Sequence, residues 1–207
     1  MTAADPVVLV HGYGDSRRAP WWDATTDRLV SAGYDRDRIH LLDQGPVGTT
    51  VRSPREYARR VLETCRSVAT EEGPVDVLAH SMGGLSARWA VEHLDGDDYV
   101  DDLVTLGTPH QGTYLAYVGL ATAGARAMVP GSPFLRELND TPLSPDVDYT
   151  AVWSDRDGAI TPEDNAAIPP ELFASTRRTR NVRVGGTSHI GLVADPGVFD
   201  SYVEYLG

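Results

Sequence analysis

Val75-Asp76-Val77-Leu78-Ala79-His80-Ser81-Met82-Gly83-Gly84-Leu85 is the stretch on which the fold turns. An apolar run ends at Ala79; His80, Ser81 and Met82 follow, then two glycines and the start of a helical pattern. Such a passage reads as a strand, a sharp turn and a helix, with a serine at the tip of the turn. A serine standing clear of a sheet needs a strained backbone. The residues two before and two after it must be small, because strand and helix pass close together there. Gly83 meets that demand, and Ala79 exceeds it by one methyl group. The motif is short, so its weight depends on partners elsewhere in the chain.

Strand and helix signals alternate on both sides of it. Val7-Val8-Leu9-Val10, bounded by Pro6 and His11-Gly12, reads as a buried strand, and Ile39 to Leu42 as a second. Asp23 to Ala32 has helical spacing and ends at Gly33. Ser53 and Glu56 fit a capping box, with Pro54 at the first helical position. Tyr57, Ala58, Val61, Leu62, Cys65, Val68 and Ala69 share one face of the helix so begun. After the serine, a helix carries Leu85, Trp89, Val91 and Leu94 and stops near Gly96. Leu103 to Leu106, Tyr149 to Trp153 and Val182 to Val184 read as strands four to six, and Gly197 to Leu206 as a closing helix. The pattern predicts an α/β fold: about six strands in a mostly parallel sheet with helices on both faces, in one domain of residues 1–207.

Composition narrows the function. The chain has 207 residues and a net charge of −12; all 18 basic side chains are arginines, none lysine. That charge argues against nucleic acid and anionic membrane surfaces as partners, and favours neutral over strongly anionic substrates. Aspartates outnumber glutamates. An Asp-rich, lysine-free surface fits adaptation to high salt, and an acidic protein from a GC-rich genome fits it as well. Unfolding measured against KCl separates the two: a halophilic chain gains stability toward molar salt, and an unchanged midpoint excludes that reading. Cys65 is the single cysteine, which leaves no internal disulfide and no thiolate metal cluster; it is expected to be a buried, small apolar residue. No apolar run reaches membrane-spanning length, so no stable membrane insertion is expected. The first residues lack a signal-like segment, so the chain is expected to be cytoplasmic, or a mature form without its leader.

The serine needs a base and an anionic partner for that base. In a parallel α/β sheet with this turn, the chain order is serine, then acid, then histidine, each just after a strand. Ser81 follows strand three, Asp155 and Asp157 follow strand five, and His189 follows strand six. An apolar β-branched residue three positions after the acid favours Asp157, which has Ile160, over Asp155, which has Gly158. The tetrahedral intermediate needs two backbone N–H donors. Met82, directly after the serine, and Tyr13, in the turn His11-Gly12-Tyr13-Gly14, are the candidates. Trp21, Trp22, Tyr114, Leu115 and Phe134 are candidates for the substrate pocket, with core packing an equal reading for Trp21 and Trp22, which lie just beyond the Tyr13 turn. Residues 112–148 read either as an acyl-pocket wall or small lid, or as a helix packed on the sheet.

Val-Leu-Val-His-Gly, Ala-His-Ser-Met-Gly-Gly, Leu103 to Gly112 and the ending Asn181-Val-Arg-Val…His189-Ile-Gly-Leu192 resemble the α/β-hydrolase superfamily, and within it the small Bacillus-type lipase A group. The resemblance runs in motif order from Val7 to the last helix, strong in four blocks and weak between them. It implies Ser81 as nucleophile, Asp157 as acid, His189 as base, and Tyr13 and Met82 as oxyanion donors. Thr108 to Gly112 and Pro130 to Leu135 depart from that group toward larger lipases. The calcium site of larger lipases has no recognisable counterpart, so no metal and no cofactor are expected. The implied activity is a serine carboxylesterase or triacylglycerol lipase on neutral acyl esters, a small-molecule or lipid substrate. An acyltransferase or amidase would use the same triad, and a non-catalytic binding protein of this fold is the third reading.

Overall fold

The computed structural model describes residues 5–69, 73–175 and 178–207. Its strands are β1 (Val7–Val10), β2 (Ile39–Leu41), β3 (Val75–His80), β4 (Val100–Leu106), β5 (Asp148–Ser154) and β6 (Thr179–Val184). They form one sheet in the order β2-β1-β3-β4-β5-β6, with every neighbouring pair parallel. The helices are α1 (Pro20–Ser31), α2 (Pro54–Val68), α3 (Met82–His93), α4 (Ala123–Met128), α5 (Pro133–Asp140), α6 (Gly191–Ala194) and α7 (Pro196–Phe199).

Successive strand residues face opposite sides. In β1, Val8 and Val10 pack with Tyr57, Val61, Leu85, Trp89 and Leu135 on the side of α2, α3 and α5. Val7 and Leu9 pack with Trp22, Leu29, Leu192, Val198 and Tyr202 on the side of α1, α6 and α7. Both faces are covered, which is why the strands read as unbroken apolar runs rather than alternating ones. The register pairs Val10 with Ala79, His80 with Leu106, Leu106 with Val152, and Ser154 with Val184. The carboxyl ends of five strands are therefore level, and the segments leaving them converge.

Three local expectations change. The Ser53 side chain makes no cap hydrogen bond. Glu56 pairs with Arg52 at 3.5 Å instead of closing a capping box. The closing helix expected over Gly197 to Leu206 is only the short α7 followed by a 3-10 turn, Val203–Tyr205. Asp195 caps the start of α7, its side chain accepting from the N–H groups of Gly197 and Val198, with Pro196 at the first helical position. β4 begins at Val100, three residues before the apolar run, where Val100 pairs with Val75 and Asp102 with Asp148 while Asp101 and Asp102 stay partly exposed.

Asp76 lies at the opposite, amino edge of the sheet. It is fully buried in β3, and neither carboxylate oxygen has a hydrogen-bond partner. Burial, followed by the charges of Asp102, Asp5 and Asp101, pushes its carboxyl up to about 8. The folded chain thus holds a proton that the unfolded chain releases near pH 4. This stabilising contribution is full below pH 4 and is lost as pH rises through about 8. Asp76→Asn is expected to remove that dependence. Urea unfolding of both proteins should diverge by on the order of 5 kcal/mol between pH 4 and 8, wild type losing more. Parallel curves would mean that Asp76 does not titrate in this range.

Candidate active site

Ser81 leaves β3 with φ 56° and ψ −132°, a backbone region that residues with a side chain rarely occupy. The Ser81 N–H donates to the Leu106 carbonyl at 2.9 Å, and the Ser81 carbonyl accepts from the Thr108 hydroxyl at 2.9 Å and the Gly84 N–H at 3.1 Å. The turn is crowded on all sides. A Cβ on Gly83 would stand 2.6 Å from the Val10 carbonyl oxygen, and one on Gly84 would stand 2.1 Å from the Thr108 hydroxyl. A Cβ on Gly12 would lie 2.7 Å from the Cβ of Ser81, so the loop after β1 presses directly on the serine. These contacts explain the small residues around the turn. Ala79 fits because it is a fully buried strand residue facing the α2 and α3 side.

Asp157 and His189 pair across the loops that follow β5 and β6. His189 Nδ1 donates to Asp157 Oδ2 at 2.8 Å, and the His189 N–H donates to the Asp157 carbonyl at 2.8 Å. Asp157 Oδ1 accepts from the N–H groups of Ala159 at 2.9 Å and Ile160 at 2.7 Å. Burial pushes the Asp157 carboxyl up. The hydrogen bond and charge of His189, with the two N–H donors, outweigh burial and hold it below the ordinary carboxylate range. The β-branched residue three positions after the acid thus has a physical role: its N–H is one of the carboxylate's donors. Asp155 is exposed, bound to Arg183 at 2.7 Å and to the Gly186 N–H at 2.8 Å. Gly107, at φ 55°, leaves space beneath the pair, since a Cβ there would stand 2.9 Å from Asp157 Oδ2.

The structure also brings His80, the residue before Ser81, into the site. Its Nε2 is 3.0 Å from the His189 carbonyl. A carbonyl only accepts, so Nε2 carries the proton. The two imidazoles lie 4.6 Å apart between centroids, and Trp22 stands edge-on to His80 at 6.5 Å. Burial above all, and then the neighbouring His189, lower the His80 pKa to about 3, so the ring stays neutral. Thr108 was not among the candidates. The only signal for it was the Gly-Thr-Pro-His-Gln-Gly block that carries part of the resemblance.

Two cavities meet at Ser81 and His189, each of about 420 Å³. The first is apolar, lined by Leu115, Ala116, Val118, Ala125, Met128 and Ile160 among others. The second runs past Gly12, Asp15, Arg18, Trp21, Val47 and Ile190. Tyr13 borders both, its hydroxyl 2.9 Å from Thr122 at the N-terminus of α4. Of the pocket candidates, Leu115 lines the first cavity and Trp21 the second. Trp22, Tyr114 and Phe134 line neither. Trp22 is fully buried, its indole N–H donating to Asp15 at 3.1 Å. Phe134 stacks on Trp89 in the core, and Tyr114 projects outward against Tyr117. Trp22 is marked in the sequence by its place just beyond the Tyr13 turn, and Tyr114 and Phe134 by the apolar composition of their segment; both signals fit burial or surface equally well.

Residues 6–156 match the sequence model of the family described as palmitoyl protein thioesterase. The chain belongs to that family. The matched span contains the Ser81 turn and ends one residue before Asp157. The thioesterase-family chain also aligns with Methylesterase 7 of Arabidopsis thaliana, 31% identical over 88 residues. That alignment takes in 41% of the chain and only 33% of the plant protein. Among solved structures, the mature Bacillus licheniformis lipase BlEst2 superposes with a TM-score of 0.79 at 20% identity, over 100% of this chain and 93% of that one. Aspergillus fumigatus lipase B gives 0.75 at 19% identity, over 95% and 50%. A Paleococcus ferrophilus monoacylglycerol lipase gives 0.69 at 14%, over 99% and 95%. The family member thus has a lipase/esterase-type α/β-hydrolase fold.

Proposed function

We propose that this chain is a serine hydrolase that cleaves neutral carboxylic esters of apolar acyl groups through an acyl-enzyme. The observation that carries the reading is the 2.8 Å His189–Asp157 hydrogen bond at the mouth of an apolar cavity bordered by Ser81. Ser81 attacks the ester carbonyl while His189 Nε2 takes its proton. Asp157 holds Nδ1 protonated, which leaves Nε2 free as the base. The N–H groups of Met82 and Tyr13 receive the oxyanion. Met82 is the first residue of α3, where an N–H has no carbonyl four residues back within the helix. His189 then protonates the leaving alcohol, and water releases the acid by the same route in reverse. The apolar cavity receives the acyl chain and the second cavity the leaving group.

A rate series on p-nitrophenyl esters, from two-carbon to long acyl chains at low and high salt, tests this. With about 0.8 kcal/mol per buried methylene, kcat/KM is expected to rise about fourfold per carbon until the cavity is filled. A two-carbon ester cleaved faster than an eight-carbon one would exclude the cavity as the acyl site, and no hydrolysis at any salt concentration would exclude the enzyme reading. Family membership favours a second reading, in which the scissile bond is a thioester. Attack at the carbonyl is the same, and the leaving thiolate needs less proton donation. Paired oxygen and sulfur esters of one acyl chain distinguish the two.

A further inference from the structure

Among the described residues, His189 is held by three hydrogen bonds, and two of them go to Asp157: Nδ1 to the carboxylate, and the main-chain N–H to the carbonyl. The third goes to another part of the sheet. The His189 carbonyl accepts from His80 Nε2 at 3.0 Å, and His80 is the last residue of β3, directly before Ser81. His80 therefore joins the loop that carries the base to the strand that carries the nucleophile. The donor is firmly seated: His80 is in register with Leu106 of β4, is 2% exposed, and lies against the His189 ring at 4.6 Å between centroids. Burial does not suit an imidazole at this place, since its Nδ1 is buried with no hydrogen-bond partner among the described residues. A buried acceptor without a partner works against folding. An apolar ring would fill the space without that penalty, so stability does not select histidine here, and the Nε2–H does.

We propose that His80 is a positioning residue for the base: its Nε2–H fixes the His189 carbonyl to β3 and so sets the reach of the His189 ring to Ser81. The inference rests on the ester-hydrolase reading and deepens it. Proton transfer from Ser81 needs His189 Nε2 within hydrogen-bond reach, and a misplacement of about 1 Å costs about 100-fold in rate. The two bonds to Asp157 leave that distance open, because both survive a movement of the acid and the base together relative to β3. The bond from His80 closes it. The charge state of His80 serves the same end. His189 becomes a cation when it takes the proton, and a second imidazolium beside it would oppose that step. Burial, and then the neighbouring His189, keep the His80 ring neutral.

The test compares three variants of the full chain that differ in where they carry a donor. His80→Phe keeps a ring and removes the N–H. The amide nitrogen of glutamine is as many bonds from the backbone as Nε2, whereas that of asparagine is one bond nearer, level with Nδ1. His80→Phe and His80→Asn are expected to lower kcat on a soluble four-carbon p-nitrophenyl ester by about 10- to 100-fold, with KM within about twofold of wild type. His80→Gln should recover kcat to within about fivefold of wild type. Labelling by a fluorophosphonate, whose departing fluoride does not fill the second cavity, should slow by the same factors as kcat. Melting curves verify the fold of each variant, and if His80→Phe does not fold, the contrast between His80→Gln and His80→Asn decides alone. Wild-type kcat in His80→Phe, or equal losses in His80→Gln and His80→Asn, would overturn the inference. So would a rise in KM at constant kcat, which would make His80 only a wall of the second cavity that it borders. All three outcomes leave the hydrolase reading standing, because the wild type still labels and turns over. A wild type that does neither would refute that reading, and this inference with it.

Discussion

Ser81→Ala is expected to lower kcat by at least about 10⁴-fold on any ester the wild type cleaves, and to abolish labelling by a fluorophosphonate. The substitution removes one oxygen and keeps the Cβ that lies against Gly12, so the fold should survive. Circular dichroism and a melting curve verify that. The strain at φ 56° gives the position a second signature. Glycine tolerates that region and alanine does not, so Ser81→Gly should be more stable than Ser81→Ala by roughly 1–2 kcal/mol while equally inactive. Labelling that persists in either variant would place the nucleophile elsewhere.

Asp157→Asn should cost about 10⁴-fold in kcat/KM with little change in fold, whereas Asp155→Asn should change activity by less than about threefold. The reason is the donor arrangement. Asp157 Oδ1 faces two N–H groups, those of Ala159 and Ile160, so an asparagine must keep its carbonyl oxygen there. Its amide nitrogen then points at His189 Nδ1, the atom that now donates to Oδ2. A donor at that place forces the proton of the neutral imidazole onto Nε2, and the ring can no longer take a proton from Ser81. Among the described residues, Asp155 holds Arg183 and the Gly186 N–H at the surface. A large loss in Asp155→Asn with a small one in Asp157→Asn would reverse the assignment of the acid.

The parts of the site that were legible in the sequence are those whose physics is local. A strained turn needs small residues two before and two after it, and Ala79 and Gly83 show this without any tertiary information. The order of Ser81, Asp157 and His189 was readable because each sits at the end of a predicted strand, and a parallel sheet brings such ends to one edge. Even the choice of Asp157 rested on a neighbour in sequence, Ile160, whose N–H the carboxylate accepts. Illegible were contacts between distant segments. His80 and His189 are 109 residues apart, and nothing in either loop announces that one ring will hold the other's carbonyl. Thr108 on the Ser81 carbonyl is of the same kind. The capping box at Ser53 does not form, and Glu56 pairs with Arg52 at the surface instead, a partner that pattern reading does not weigh.

The aromatic residues mark the boundary most clearly. Trp21 and Trp22 are adjacent and chemically identical, and both indole N–H groups are aimed at Asp15. Helix α1 turns one toward the second cavity and buries the other against His80. Sequence by itself determined the α/β sheet, the serine turn and the order of the candidate residues, because hydrophobic period, turn chemistry and strand order are properties of short segments. Only the tertiary structure decided which apolar side chains became core, cavity or exposed surface. Burial of a side chain depends on what the rest of the chain places over it, and that covering comes from segments far away in sequence.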